Sequence, residues 1–168
     1  MAEMTIQTER LELYPLTPAQ LRLWTEDVPA LERELDCSYR AEPMEGFFLD
    51  IVKSQAEISE ADPQNYLWHS FFFLIRKSDR AVVGSADFKD IPDENGEVEI
   101  GYGLGSAFEK QGYMTEAVRA LCAWAQAQDG VSRVIAETEL EGFASQRILE
   151  RCGFTRRSAG DALWWQLG

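Results

Sequence analysis

One segment constrains the fold more than any other: EIGYGLGSAFEKQGYMTEAVRALCAWA, residues 99–125. It begins as a strand of alternating polar and apolar residues, passes through a glycine-rich turn and ends in a helix with an apolar stripe. No Ser, Thr, Asp or Asn caps the expected helix 113–128. Its first amides therefore need a partner from outside the helix. An anion suits them, because this end of a helix is positive.

The glycine pattern does not match the common phosphate loops. Ser106 stands where a dinucleotide-binding fingerprint beginning at Gly101 would have its third glycine, and the helix starts several residues too late. No Gly-Lys-Ser/Thr follows, which excludes a Walker loop. Gly112 lets the backbone approach an anion closely, and Lys110 adds charge. The alternative is that Gly112 only shapes a tight turn.

The remaining patterns predict the element order. The expected strands cover residues 5–14, 66–76, 81–89, 97–104 and 133–139, with a final hairpin up to Leu167. The expected helices cover 18–26 (capped by Thr17), 28–36, 43–59, 113–128 and 143–152. This order predicts a mixed α/β or α+β fold with three consecutive antiparallel strands and two crossover units. The length of 168 residues suits a single domain, 1–168.

Charge and composition disfavour several functions. A net charge of -13 argues against nucleic acid and would suit a cationic, amine-bearing partner, although acidity also simply maintains solubility. The three cysteines lack the spacing of a disulfide framework or a zinc site, and no metal is expected. The N-terminal segment lacks the apolar core of a signal peptide, and no apolar run suits a bilayer. A cytoplasmic location is the expectation.

Three sequence stretches carry a resemblance. EIGYGL followed by QGYMTEA, and then ASQRILERCGF, resemble the Gcn5-related N-acetyltransferases (GNAT family). The RimJ/RimL-type ribosomal-protein N-terminal acetyltransferases are the most similar branch, and the opening TERLELYPLT resembles them too. The resemblance implies a GNAT-like, mostly antiparallel twisted sheet of about seven strands, flanked by helices and splayed at the cofactor cleft. It also implies acetyl-CoA as cosubstrate, a primary amine as acceptor and, by analogy, a homodimer.

The resemblance also implies site residues. The pyrophosphate would lie on the loop and helix start formed by Glu109, Lys110, Gln111, Gly112, Tyr113 and Met114. The pantetheine arm would lie on the backbone of Tyr102, Gly103 and Leu104, where an amide near Leu104 would polarise the thioester carbonyl. The sequence departs from the family at Glu109, often Arg or Gln, and at Gly142, often Asn. Lys110 would compensate for the charge of Glu109.

Acetyl transfer requires a group that deprotonates the amine and one that protonates the departing sulfur. Glu99 and Glu97 share one strand face, and Glu99 is favoured as the base or acceptor-orienting group, unless it is only an exposed strand carboxylate. Ser145 resembles a serine of the RimL-type branch near the sulfur, although it would also suit a helix cap. No tyrosine follows strand 133–139, so the tyrosine acid of many relatives is expected to be absent. His69, on its expected strand, suits the core or an acceptor-pocket wall.

These observations predict an N-acetyltransferase that acts by direct attack in a ternary complex, with a protein or peptide N-terminal α-amine as acceptor. Two alternatives stay open: a small-amine acetyltransferase acting on a polyamine, aminoglycoside or amino acid, and a catalytically inactive CoA-binding module. Family analogy places Phe47 and Phe48 beside the acceptor. The pair Trp164-Trp165 would line the acceptor cleft or pack an interface, and strand alternation lets only one of them face each side.

Overall fold

The computed structural model describes residues 4–168. The strands are β1 (Ile6–Gln7), β2 (Leu11–Pro15), β3 (Ser38–Tyr39), β4 (Phe71–Arg76), β5 (Ala81–Phe88), β6 (Glu97–Leu104), β7 (Arg133–Thr138), β8 (Thr155–Ala159) and β9 (Leu163–Leu167). The helices are α1 (Pro18–Glu26), α2 (Val28–Leu35), α3 (Gly46–Ala61), α4 (Tyr66–His69), α5 (Tyr113–Gln126) and α6 (Phe143–Arg151). Short 3₁₀ turns cover Pro63–Asn65 and Ser106–Phe108.

All nine strands of the described chain belong to one sheet, in the order β1-β2-β4-β5-β6-β7-β9-β8, with β3 attached to β5. Every pairing is antiparallel except β6 with β7 and β3 with β5. The predicted mixed, mostly antiparallel fold is therefore confirmed. The structure has more than the expected seven strands for two reasons. It contains the short strand β3, and the predicted strand 5–14 is divided into β1 and β2. A turn at its middle, where the Thr8 amide donates to the Leu11 carbonyl oxygen at 2.9 Å, separates β1 from β2.

The sheet opens between β6 and β7, as the resemblance implied. These strands pair only over Glu97, Val98 and Glu99. On its other edge, β6 stays paired with β5 as far as Leu104. Within residues 4–168, the second half of β6 therefore presents one backbone edge with no strand beside it. Such an edge can hydrogen-bond an extended ligand.

Helices cover both faces of the sheet. The predicted apolar stripe of α5 is buried as expected and packs against β6 through residues such as Val98 and Ile100. On the opposite face, α1–α3 enclose Trp24, whose ring makes edge contacts with Phe71 and Phe73 at centroid distances of 5.5 and 4.9 Å. Full burial of a large apolar side chain contributes about 1.5–3 kcal/mol, so these two layers hold β5 and β6 rigidly between them.

Two predicted elements have bounds that differ clearly from those of the structure. The helix expected over 43–59 begins at Gly46 and ends at Ala61. The strand expected over 66–76 begins only at Phe71, because the Ser70 amide donates to the Tyr66 carbonyl oxygen at 2.8 Å and closes a helical turn. His69 therefore ends α4 rather than lying on a strand. It is buried, and its Nε2 lies 2.9 Å from Asp62 Oδ2.

Within residues 4–168, none of the helices combines the length and apolar character needed to cross a membrane.

Candidate active site

The start of α5 is uncapped by any side chain. Gly112 occupies the N-cap position with φ 83°, in the left-handed region that favours glycine. The first helical hydrogen bond runs from the Glu116 amide to the Gly112 carbonyl oxygen at 3.1 Å. The amides of Tyr113, Met114 and Thr115 therefore have no acceptor within the helix. This geometry offers an anion several donors at the positive end of the helix dipole.

The loop before α5 is braced from outside. Arg10 donates from Nη1 to the Gln111 carbonyl oxygen at 2.9 Å and lies 4.3 Å from the centroid of the Tyr113 ring. The Glu116 carboxylate, which would otherwise repel an anion, accepts from Arg10 Nε at 2.8 Å and from the Thr8 hydroxyl at 2.6 Å. These contacts fix the loop and partly neutralise the acidic residue in the first turn of α5.

A cleft of about 320 Å³ lies between this helix start, α6 and the end of β6; we call it the α5–α6 cleft. Its lining includes Leu104, Gly112, Tyr113, Met114, Ile148 and three cations, Lys110, Arg147 and Arg151. Three positively charged side chains therefore cluster around this helix start, although the chain as a whole has a net charge of -13. The cleft therefore fits the phosphates of a CoA ester. Glu109 is exposed and does not line the cleft, nor does Gln111.

Arg147 and Arg151 were missed from the sequence. They stand four residues apart and so share one face of α6. That spacing was visible, but nothing in the sequence indicated that this face meets the start of α5. Gly142, at the N-cap of α6, provides no side-chain cap.

Tyr102 and Ser145 meet at the open end of the sheet. Tyr102 Oη lies 2.6 Å from Ser145 Oγ and 3.3 Å from the Ser145 carbonyl oxygen. Burial raises the pKa of Tyr102 to about 12, and the hydrogen bond with Ser145 only partly opposes this. The phenol is therefore protonated at neutral pH. Ser145 is not acting as a helix cap, because its hydroxyl is engaged with Tyr102. No tyrosine follows β7, and the phenol that contacts Ser145 comes from β6 instead.

Glu97 and Glu99 share a face of β6, as predicted, but they differ in their surroundings. Glu97 is paired with Arg133 at 3.0 Å and Arg157 at 2.9 Å. The hydrogen bond from Arg157 is the largest cause of its lowered pKa. Glu99 is half-buried, and burial raises its pKa, with the charge of Lys89 opposing this. Glu97 is thus held as a structural ion pair, whereas Glu99 has the properties of a proton acceptor.

A second cleft, the α3–β6 cleft, opens on this face of the sheet. Its lining residues are Glu42, Phe48, Ile51, Phe71, Ser85, Asp87, Lys89, Tyr102 and Gly103. Asp87 was missed from the sequence, where it stands at the end of the apolar strand AVVGSADF. Burial raises its pKa to about 6, with Lys89 lowering it and Glu99 raising it further. Its carboxylate is therefore ionised at neutral pH but basic enough to accept a proton.

A third cleft, the outer cleft, continues the second one along the start of α3. It shares Glu42, Phe48 and Ile51 with the α3–β6 cleft and adds Pro43, Glu45 and Phe47. Phe47 is 80% exposed. The two aromatic residues of α3 thus line this cleft. Trp165 instead packs in the core and donates from Nε1 to Thr138 Oγ1 at 2.9 Å.

A splayed sheet, an uncapped helix start with nearby cations, and a carboxylate-lined cleft on the opposite face together define an acyl-CoA-dependent acyltransferase. The chain matches the family model of the acetyltransferase (GNAT) domain over residues 10–155. It is 31% identical over 144 residues to the uncharacterized N-acetyltransferase YjdG of Bacillus subtilis (strain 168), covering 80% of this chain and 86% of that protein. The chain belongs to the GNAT family; it is an N-acetyltransferase, and acetyl-CoA is its cosubstrate.

Solved structures share the fold. One is RimL, a ribosomal L7/L12 alpha-N-protein acetyltransferase in complex with coenzyme A, with a TM-score of 0.67 and 19% identity over 98% of this chain and 97% of that chain. Another is a chimera of the spermidine N-acetyltransferase SpeG from Vibrio cholerae and hSSAT, with a TM-score of 0.67 and 13% identity over 95% of each chain. The GNAT fold therefore accommodates both protein and polyamine acceptors.

Proposed function

We propose that this enzyme acetylates the N-terminal α-amine of a protein or peptide, as the RimJ/RimL-type branch does, by direct attack in a ternary complex. The observation that carries the proposal is the continuity of the α3–β6 cleft with the outer cleft. Both clefts contain Glu42, Phe48 and Ile51, so the path runs on from the interior to the exposed ring of Phe47. A site built for a small amine alone needs no such extension.

The two ends of this path suit a peptide that enters N-terminus first. Its amine would reach Asp87 and the open end of β6, while the next side chains would contact Phe47 and Ile51, which are 80% and 36% exposed. An α-amine has a pKa near ~8 and a lysine near ~10.4, so an N-terminal amine is more easily deprotonated. A carboxylate whose pKa is moderately raised is then a sufficient base.

Acetyl-CoA supplies the activated acetyl thioester when it is bound. The helix-start amides from Gly112 onward, with Lys110, Arg147 and Arg151, would hold its phosphates in the α5–α6 cleft. The free backbone edge at Tyr102, Gly103 and Leu104 would hold the pantetheine arm as an added strand.

Ser145, with Tyr102 behind it, would give a proton to the departing sulfur. On the other face of β6, Glu99 would assist deprotonation of the amine. The side chains of Gln111 and Tyr113 are engaged with Ala107 and Arg76 respectively, so these residues would contribute backbone rather than side-chain contacts.

A polyamine acceptor is the second candidate. Its supporting observation is the acidic lining of the two continuous clefts, where Glu42, Glu45 and Asp87 could each face one ammonium group. The overall charge of -13 would attract such a substrate as well.

Thiol release from acetyl-CoA with matched acceptors tests the proposal. The acceptors are a peptide with a free N-terminus and an internal lysine, the same peptide with an acetylated N-terminus, and spermidine. We expect the free-N-terminus peptide to be turned over much faster than the N-acetylated peptide or spermidine, and mass spectrometry should locate the acetyl group on the α-amine. Preferential turnover of spermidine would establish the second candidate instead.

A surface variant separates the two candidates further. Phe47→Ser should raise the KM for the peptide about tenfold and leave that for spermidine unchanged, since only a peptide has side chains that pack on the exposed Phe47 ring. Ile58→Ser is the matched control: it is also an exposed residue of α3 (41%) but does not line the cleft. An equal effect of both substitutions would contradict peptide binding at Phe47.

A further inference from the structure

Asp87 is a buried carboxylate without a hydrogen-bond partner. It is 6% exposed, and within residues 4–168 no donor reaches its carboxylate. Burial of an unpaired ionisable group is unfavourable, so most proteins pair such a group or replace it. Its neighbour across the β4–β5 ladder is Phe71, which offers no compensating polar group. The carboxylate instead lines the α3–β6 cleft.

A glycine on β6 makes room for this carboxylate and for the side chain of Lys89. Asp87 pairs with Gly101 and Ser85 pairs with Gly103, so neither partner on β6 has a side chain to fill the cleft. A Cβ atom on Gly101 would lie 3.0 Å from Asp87 Oδ1 and 3.0 Å from Lys89 Nζ. The carboxylate and the ammonium of Lys89 therefore both project over Gly101, towards the place where β6 separates from β7.

We propose that Asp87 is a catalytic residue of this enzyme, which binds the ammonium group of the acceptor and accepts its proton. The inference rests on the proposed function only in requiring an amine acceptor, whether peptide or polyamine. Lys89 keeps Asp87 ionised while the cleft is empty, and the acceptor ammonium then takes the place of the Lys89 ammonium. Glu99, on the same face, raises the proton affinity of Asp87 by repulsion.

The proton balance needs no further reactant. The acceptor nitrogen loses one proton to Asp87, forms its bond to the acetyl carbon as the carbon–sulfur bond breaks, and loses its second proton as the departing sulfur gains one. Ser145 and Tyr102 lie on the opposite side of β6 from Asp87 and serve the sulfur. Asp87 returns its proton to solvent through the open cleft after the product leaves.

The charged groups that face Asp87 set the pH range in which Asp87 can accept a proton from the acceptor. They are Lys89 on the same strand, Glu99 on β6, and Glu42 before α3. With a pKa of about 6, Asp87 is mostly ionised at pH 7, where an α-amine with a pKa near ~8 is still largely protonated. The enzyme therefore retains its rate below the pKa of the free amine and loses it as the pH falls through about 6.

The test compares Asp87→Asn with Asp129→Asn, an exposed aspartate just beyond α5. With the free-N-terminus peptide and with spermidine, we expect kcat of Asp87→Asn to fall about 100-fold or more. With the peptide, its remaining activity should rise with pH up to the pKa of the α-amine at ~8, whereas the wild-type and Asp129→Asn enzymes should already be near maximal at pH 7. Binding of acetyl-CoA and the melting temperature at pH 8 should not decrease.

Three results would overturn the assignment of Asp87. One is a kcat of Asp87→Asn within about threefold of wild type; another is an unchanged pH profile. The third is lower thermal stability together with weakened acetyl-CoA binding, which would make Asp87 a structural residue.

A binding measurement avoids turnover altogether. Titration of the peptide or spermidine into CoA-saturated protein should give at least about tenfold weaker binding for Asp87→Asn, and unchanged affinity for either acceptor would also contradict the role. A preference of the wild-type enzyme for spermidine would refute only the peptide assignment, because Asp87 is assigned to any amine acceptor.

Discussion

Tyr102 Oη and Ser145 Oγ lie 2.6 Å apart and link β6 to the first turn of α6 across the opening in the sheet. The phenol is protonated at neutral pH, since burial raises the pKa of Tyr102 to about 12. A Ser145 hydroxyl that gives its proton to the sulfur could therefore regain one from Tyr102 without waiting for solvent. The two residues would then work as one proton-donating unit.

The first prediction follows from that unit. Ser145→Ala should lower kcat about 100-fold and Tyr102→Phe about tenfold, with little change in the Kd of acetyl-CoA. Because both residues serve one proton transfer, the double variant should be no slower than Ser145→Ala alone. Multiplicative effects of the two substitutions on kcat would show that they act independently.

A second prediction concerns the helix start. Gly112→Glu places a side chain and a negative charge at the uncapped amides, so the Kd for acetyl-CoA should rise at least about 100-fold in titration calorimetry. Gly130→Glu is the matched control, because Gly130 has nearly the same φ, 84° against 83°, but lies outside the cleft. Both variants should lose about 1–2 kcal/mol of stability from the left-handed backbone. Equal acetyl-CoA binding by both would exclude the α5 start as the phosphate site.

Third, Arg147→Ala and Arg151→Ala should each weaken acetyl-CoA binding about tenfold, and the loss should shrink as salt rises and screens the phosphate charges. Arg33→Ala removes an exposed arginine of α2 that does not line the cleft, and it should leave the Kd unchanged. A uniform effect of all three substitutions would indicate a general charge effect instead of a local contact.

The fourth prediction separates the two glutamates of β6. Glu97→Gln should destabilise the protein by about 1–3 kcal/mol, because it weakens the pairing with Arg133 and Arg157, while kcat stays near wild type. The pKa of Glu97 is lowered in the folded state, so its stabilising effect should be lost as the pH falls towards acid values. Glu99→Gln should instead lower kcat with little change in denaturation midpoint. The reverse pattern would make Glu97 the functional carboxylate.

Fifth, Asp87→Asn should stabilise the protein above pH 6. The pKa of Asp87 rises from 3.8 to about 6 on folding, so ionisation of Asp87 opposes folding above that pH. This difference corresponds to at most about 3 kcal/mol, which the variant should gain at pH 8 and not at pH 4. Urea unfolding at both pH values measures the gain. A variant less stable than wild type at pH 8 would show that the carboxylate stabilises the fold.

Several features could be predicted from local sequence alone. The apolar spacing of α5 and the absence of a capping residue at Gly112 depend on neighbours within a turn or two. The pairing of Thr17 with Gln20 at the start of α1 is equally local, and both capping hydrogen bonds are present. The first part of the strand predicted over 66–76 was wrong. Its aromatic content favours a strand, but the hydrogen bond from the Ser70 amide to the Tyr66 carbonyl oxygen forms a helical turn there instead.

The tertiary structure decided which distant residues meet. In the sequence, Asp87 is only one polar residue at the end of an apolar strand. The strand register places it opposite Gly101, and this pairing is visible only in the folded chain. Arg147 and Arg151 became part of a cleft only when α6 packed beside the start of α5, and Tyr102 met Ser145 for the same reason. The sequence by itself determined most of the elements, the open helix start and the family, because these depend on short-range patterns. The pairing of side chains and the pKa values of Asp87 and Tyr102 depend on long-range packing and burial, which only the folded chain defines.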